Sequence, residues 1–437
     1  MTRTVITNAV VVTCDHANTV LENASVVIES GLITSVSLAP IDARPGDVVI
    51  DARGGIVLPG LVNAHTHLAM TLLRGVADGT DLDAFLARLL PIEGALVDAD
   101  AAATGTELAG VELLRSGCTA ALDMYFFPGS AMAAAARVGL AVHTGPVFIE
   151  FPGPDDLVWP ARVAWSRRFL ESQDADTRWV APHSTYLLSE EQLRDVAALA
   201  EETGAFVHVH AAETLAEMAQ VAGRHGGRTP VRVLADVGLL HDRTVLAHAV
   251  HVTDADIERI AAVGAHVTHN PASNAKLASG LAPVRKMLDA GVNVSLGTDG
   301  ASSANDLDLW MAMRLASFLP SIIHGDPGEI TAADVVRMAT VNGAKALGRG
   351  STHGSIEVGK VADVVVLDAR AAAITPSYDP LSTLAYATSR AEVLHVFVAG
   401  AHVVDGGRVL TVPADLHDRV AVLAARVTEL RRVGGVS

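Results

Sequence analysis

Leu58-Pro59-Gly60-Leu61-Val62-Asn63-Ala64-His65-Thr66-His67 reads as a buried strand that ends in two imidazoles one residue apart. Alternation along a strand sends residues i and i+2 to the same side, so His65 and His67 face one point and can share a metal ion. The spacing alone is a weak signal, because a chain with 18 histidines in 437 residues produces such pairs by chance. Position gives it weight. The pair follows an apolar run with a Pro-Gly break, and matching polar groups close several later apolar runs.

Outward from this stretch, candidate strands follow the first, Ile56–His65, at Ala120–Tyr125, Leu140–Phe148, Trp179–His183, Phe206–His210, Val245–His248, His266–His269 and Val292–Leu296. Ala/Leu/Glu-rich stretches such as Asp98–Ser116, Glu190–Thr203 and Ala282–Ala290 intervene and predict helices. This alternation is that of repeated βα units. About eight units over roughly 250 residues is the size of a TIM (β/α)8 barrel, whose functional groups sit at the C-terminal ends of the strands. A doubly wound open sheet is the alternative, but it gives the polar strand ends no common meeting place.

The two ends of the chain have another texture. Val5–Cys14, Ala24–Glu29, Leu32–Leu38 and Asp47–Asp51 predict short antiparallel strands, and Gly354–Asp368, Val393–Val398 and Ala401–Val404 return to the same pattern. The expected fold is α/β. A TIM barrel over residues 58–354 carries a small discontinuous β-sandwich domain, with a C-terminal helix, from residues 1–57 and 355–437.

A net charge of −17 with no Lys/Arg cluster argues against nucleic acid and anionic membrane surfaces as partners and favours a small molecule. Hydrophobic residues make up 50% of the chain and aromatics 4%, which suits a globular enzyme. No apolar stretch reaches membrane-spanning length, and no export signal opens the chain. Cys14 and Cys118 are too few for a disulfide framework, which points to a reducing cytoplasm. A homo-oligomer, dimer or tetramer, is the expected assembly.

The chemistry gathers at the strand ends. In Val207-His208-Val209-His210-Ala211-Ala212-Glu213, both histidines point into the barrel, with His210 nearer the rim as a third imidazole ligand and His208 deeper as a hydrogen-bonded core residue. Glu213 stands where it can reach a bound water and shuttle its proton; the alternative is a helix-start residue favoured by the macrodipole. Val245–His248 presents His248 toward the intermediate, while His251 sits structurally in the loop that follows. Asp299, in Gly297-Thr298-Asp299-Gly300, is read as a carboxylate ligand and base instead of a bare Asp-Gly turn, because a buried run delivers it to the same mouth. Three imidazoles and one carboxylate suit a single divalent transition metal, zinc or iron, better than Mg²⁺ or Ca²⁺. Such an ion lowers the pKa of bound water from 15.7 toward about 7.

Taken together, Pro59–His67, Leu90-Pro91-Ile92-Glu93, Asp123-Met124-Tyr125, Pro182-His183-Ser184, His210–Thr214, His248, His269–Asn274 with Lys276-Leu277, and Gly297–Ala301 resemble the amidohydrolase superfamily. The likeness is to its methylthioadenosine/S-adenosylhomocysteine deaminase branch and covers nearly the whole chain. It implies metal ligands His65, His67, His210 and Asp299. It also implies that Asp299 takes a proton from the bound water, Glu213 protonates the ring nitrogen, His248 stabilises the oxygen of the intermediate, and ammonia leaves. Glu93 becomes the partner of ribose hydroxyls and His183 a substrate contact, whereas the residues alone read Glu93 as a solvated helix position.

Two departures from the branch bear on substrate. Where relatives commonly carry Trp nine residues before the glutamate, this chain has Ala84, and Phe85 substitutes only if the helix is one residue shorter. The stretch His143–Val158 holds no Arg for an amino-acid carboxylate. Adenosine, 5′-deoxyadenosine or methylthioadenosine is therefore expected over S-adenosylhomocysteine. The rivals are another ring aminohydrolase or chlorohydrolase acting on guanine, pterin or s-triazine, a metal-free structural relative of the barrel, and a two-metal cyclic-amide hydrolase. The last would want a lysine where His183 stands.

Overall fold

The computed structural model describes residues 3–433; Met1, Thr2 and residues 434–437, which the small-domain expectation included, lie outside it. Its barrel strands are Leu61–Thr66, Cys118–Asp123, the pair Ala141–His143 and Val147–Phe148, then Trp179–Pro182, Phe206–Ala211, Thr244–His248, His266–His269 and Asn293–Leu296. Neighbours pair in parallel wherever a ladder forms. Helices intervene, among them Ala99–Arg115, Glu190–Thr203 and Val284–Asp289. Asp98 caps the first of these, accepting from the N–H of Ala101, and Ser189 closes a capping box on the second.

The expected third strand is in two pieces. The first pairs with the second barrel strand and the other with the fourth. Between them Gly145 lies so close to Trp179 that a Cβ would stand 1.8 Å from the Trp179 carbonyl oxygen, so only glycine fits this break. The expected strand Ile56–His65 is also two. Ile56–Pro59 belongs to the end-domain sheet and Leu61–Thr66 to the barrel, with Gly60 pressed against Thr119, whose Oγ1 would be 2.1 Å from a Cβ there. The change of sheet falls at Gly60, and the first barrel strand begins at Leu61.

Closure between the eighth and first strands uses no regular ladder. The N–H groups of Thr298 and Asp299 donate to the His65 carbonyl at 3.2 and 3.1 Å. The Asn63 amide exchanges two hydrogen bonds with Thr298, at 2.8 and 3.0 Å. These contacts set the Asp299 backbone directly beside His65.

Strands from both chain ends join one nine-stranded sheet around a core of its own, which includes Ile6, Val26, Ile28, Val57, Val364, Val366 and Phe397. Ile56–Pro59 and Val364–Leu367 pair antiparallel in its middle. Val57, Val364 and Val366 face that core, while Ile56, Leu58, Val365 and Leu367 face the main one. Burial on both faces explains their unbroken apolar sequence. One expectation needs correction: Val48–Asp51 pairs with Thr4–Val12 in parallel, not antiparallel, because the chain returns along the opposite edge of that first strand.

Helix Leu82–Leu96 covers the barrel mouth, and the C-terminal helix packs against it. Leu82–Leu96, capped by Asp81, and Leu416–Val433 share an apolar cluster of Phe85, Leu89, Leu96, Leu423, Val427 and Leu430. Arg419 ties the C-terminal helix to Glu107 and, at 2.9 Å, to the Thr104 hydroxyl. Among the described residues no helix is long and apolar enough to cross a membrane.

Candidate metal centre and active site

His65, His67, His210 and Asp299 are all buried, and one donor atom from each lies within 4.8 Å of the others. His67 Nε2 is 3.1 Å and His65 Nε2 3.3 Å from Asp299 Oδ1, and His210 Nε2 is 3.3 Å from His67 Nε2. With metal–nitrogen bonds of about 2.0–2.1 Å, a tetrahedral site has donor–donor edges of about 3.3 Å. The observed separations match.

Proton placement on the rings says the same. His67 Nδ1 lies 2.6 Å from the Met124 carbonyl, and His210 Nδ1 lies 2.9 Å from the His183 carbonyl. A carbonyl only accepts, so both Nδ1 atoms carry a proton, and each ring in its neutral form turns an Nε2 lone pair inward. Lone pairs aimed at each other and at a carboxylate repel unless a cation sits between them. Buried His65 Nε2 has no hydrogen-bond partner at all. The donor set fits a divalent transition ion.

The electrostatics follow from the same crowding. Burial drives His65 down to about 3 despite Asp299. Burial also pulls on His67, but there the Asp299 carboxylate outweighs it and the ring rises to about 9. Burial opposes the Asp299 charge, yet the two imidazoles prevail and hold its carboxyl well below the usual range. A cation bound among them takes the place of the proton that His67 otherwise holds.

Asp299 has φ +60, and this left-handed turn at the strand end aims its carboxylate back over the barrel. Its second oxygen, Oδ2, accepts from the hydroxyls of Ser273 and Ser303, both at 2.7 Å. His248, with φ +76, donates from Nδ1 to Asn274 Oδ1 at 2.8 Å and leaves Nε2 3.8 Å from Glu213 Oε2. Glu213 is buried, which raises its carboxyl pKa, and Oε1 accepts from Ser279 at 3.2 Å. It precedes Thr214, the cap of helix Leu215–Arg224, and so is not a residue of that helix's first turn.

Glu93 is buried, unlike the solvated position that the residue alone suggests. Its Oε1 accepts from the Tyr125 hydroxyl at 2.6 Å, and burial raises its carboxyl. His183 follows the fourth strand, with its ring centroid 4.6 Å from that of His210. Phe85 is buried on helix Leu82–Leu96, so an aromatic ring is supplied one residue after Ala84 without the helix being shortened. All of these line one cavity of about 340 Å³ with His67, His210, Glu213, His248 and Asp299. The cavity places every sequence-derived site residue except His65 in its wall; His65 lies beneath it at 0% exposure.

Sequence reasoning gave no role to Ser273, Asn274, Ser279, Ser303, Tyr125 or Glu217. Glu217 is the least expected. Thr214-Leu215-Ala216-Glu217 has capping-box spacing, and Thr214 Oγ1 accepts from Glu217 N as that motif requires. The Glu217 carboxylate, however, reaches past Thr214 to accept from the N–H groups of Ala212 and Glu213 at 3.0 and 2.6 Å. A strand-end polar cluster, Asn270-Pro271-Ala272-Ser273-Asn274, was the available signal for two of the others.

Three imidazoles and a carboxylate converging on one buried point at the C-terminal rim of a TIM barrel define a metal-dependent hydrolase. The amidohydrolase family model matches residues 56–403, and the chain belongs to that family. It is 42% identical over 388 residues to the 5′-deoxyadenosine deaminase of Methanothermobacter thermautotrophicus, covering 87% of this chain and 89% of the relative. It is 43% identical over 399 residues to the 5-methylthioadenosine/S-adenosylhomocysteine deaminase of Halobacterium salinarum, covering 89% and 91%. Among solved structures, an adenosine deaminase from Xanthomonas campestris with bound zinc superposes with a TM-score of 0.91 at 35% identity, covering 98% of each chain.

Proposed function

We propose that this enzyme is a metal-dependent deaminase of adenosine-like nucleosides, converting the 6-amino group to the inosine-type oxygen with release of ammonia. The observation that carries the reading is that three of the four metal donors, His67, His210 and Asp299, and the buried carboxylate of Glu93 face the same 340 Å³ cavity. That volume lies in the range of small-ligand pockets. Bound among His65, His67, His210 and Asp299, a zinc-class ion supplies a water of lowered pKa as nucleophile at neutral pH.

The remaining chemistry belongs to the side chains. Asp299 accepts a proton at its Oδ1 oxygen, while Ser273 and Ser303 hold Oδ2 and fix the carboxylate's angle. Glu213, kept protonated to higher pH by burial, hands a proton to the ring nitrogen beside the reacting carbon, so negative charge does not build up on the purine. His248, with Nδ1 held by Asn274, donates from Nε2 to the developing oxygen when its ring carries both protons. Glu93 receives the ribose hydroxyls, with Tyr125 holding one of its oxygens in place. His183 and Phe85 contribute contact surface to the purine and ribose.

The charges of the cavity wall refine the substrate class. Glu93, Asp156, Glu213 and Asp299 line it and no Lys or Arg does, which leaves a ligand carboxylate without a partner. This supports adenosine, 5′-deoxyadenosine or methylthioadenosine over S-adenosylhomocysteine. Ammonia release measured on these four nucleosides beside guanine, a pterin and an s-triazine tests the reading. Faster turnover of the bare rings than of the nucleosides would overturn it.

Two coarser expectations remain part of the same proposal. The free, buried Cys14 and Cys118 support a reducing, cytoplasmic setting. Phe318, Ile322 and Ile323, exposed together on helix Leu309–His324, support a homo-oligomer, which light scattering checks.

A further inference from the structure

A second set of metal donors stands on the end-domain sheet, on strands separate from the catalytic mouth. Strands Val393–Val398 and Ala401–Asp405 form a hairpin whose turn residues, Ala399 and Gly400, both have positive φ. Phe397 pairs with His402 and Val396 with Val404, so the register slips by one residue between those pairs. In a regular strand His402 and Asp405, three apart, face opposite sides; one extra residue resets the alternation and brings both to the side of His395.

The result is a compact triad. His395 Nδ1 lies 3.3 Å from His402 Nε2 and 3.1 Å from Asp405 Oδ1, and the three donors fall within 4.8 Å of one another. These separations match the edge of about 3.3 Å expected for a tetrahedral zinc site, and they repeat those of the catalytic centre. A single Nδ1 proton on His395 can serve only one of its two neighbours. A cation serves all three donors at once. The platform is fixed, since the His402 ring stacks on buried Phe397 with centroids 4.5 Å apart and planes 15° apart. Access is open: the Asp405 side chain is 56% exposed and that of His395 15%.

We propose that His395, His402 and Asp405 form a second, solvent-accessible site for a zinc-class divalent ion, with water completing its coordination. The ion pins the hairpin of strands Val393–Val398 and Ala401–Asp405 and takes no part in deamination.

The test is zinc titration of the purified full-length enzyme, followed by metal analysis after removal of free ion. Wild type is expected to hold about two equivalents per chain, and His395→Ala/His402→Ala about one, with kcat unchanged. Asp405→Asn, which changes one exposed side chain and preserves folding, is expected to raise the zinc concentration needed for the second equivalent. A single equivalent in wild type, a second equivalent that survives in the double variant, or one that fills only at millimolar zinc as an adventitious ion would each overturn the proposal. Loss of both equivalents in a variant that also loses activity would show the hairpin to be structural and would likewise count against it.

Discussion

His65 Nδ1 and His208 Nε2 face each other at 2.8 Å, with both rings buried. For His65 to offer an Nε2 lone pair, its proton must sit on Nδ1 and be donated to His208, which then keeps its own proton on Nδ1. The deeper histidine thereby selects the tautomer of the ligand above it. His208→Leu is expected to weaken zinc affinity by about 10–100-fold. Activity should return at saturating zinc, because the ligands themselves remain. Metal titration of apo-enzyme with an activity readout checks this, and affinity equal to wild type would refute the tautomer argument.

Removing the ion, or the groups that hold it, should abolish turnover. His67→Ala and Asp299→Ala are expected to be inactive and metal-poor, and chelated wild type to recover on adding zinc. Zinc also binds only the folded site, so at a free concentration 100 times Kd it should add about 2.7 kcal/mol to stability. Thermal melts of apo-enzyme against zinc measure that increment, and a flat response would contradict a preformed site.

The Glu93–Tyr125 hydrogen bond assigns the ribose end of the cavity. Glu93→Ala is expected to depress kcat/KM for nucleosides while leaving activity on bare amino-purines nearly unchanged. Tyr125→Phe should act in the same direction but less, since a charge-assisted hydrogen bond contributes about 1.5–3 kcal/mol. An unchanged nucleoside preference in Glu93→Ala would remove the ribose assignment.

Glu217 holds the loop that carries Glu213, and burial raises its carboxyl to about 7. Glu217→Ala strands two buried N–H groups, at about 1–3 kcal/mol each. Lower stability and lower kcat are expected, with zinc content unchanged and with partial rescue in Glu217→Gln, which keeps an accepting oxygen. A kcat equal to wild type in Glu217→Ala would show that Glu213 finds its place unaided.

Asp363 supplies a pH signature away from the active site. Burial raises its carboxyl to about 6, although the N–H of Ala399 donates to it at 2.7 Å. A carboxyl whose pKa is raised in the fold binds its proton more tightly there than in the unfolded chain. Its contribution is thus fully present below the unfolded pKa of about 3.9 and is lost as pH climbs through about 6. The shift corresponds to about 3 kcal/mol at most. Asp363→Asn should flatten this part of the profile, seen as a stability advantage over wild type that opens between pH 4 and 6.

The barrel was legible because eight apolar runs alternate with helical stretches, and its strand ends were legible because polar residues in a buried run are rare. His65, His67, His210 and Asp299 all come together as their positions suggested. Glu93 was not legible from its own residues. It faces inward, into the cavity, where Tyr125 from the end of the second barrel strand meets its carboxylate, a neighbour that only the closed barrel supplies.

Local sequence determined which residues could serve as ligands, because strand alternation and the Asp-Gly turn are decided within a few residues of each. Only the tertiary structure decided which of their atoms do so. The carbonyls of Met124 and His183, the ring of His208 and the hydroxyl of Ser273 come from other βα units, and Ser303 reaches Asp299 from within its own loop. They fix each tautomer and each carboxylate angle through hydrogen bonds that exist only once the barrel has closed at Asn63 and Thr298.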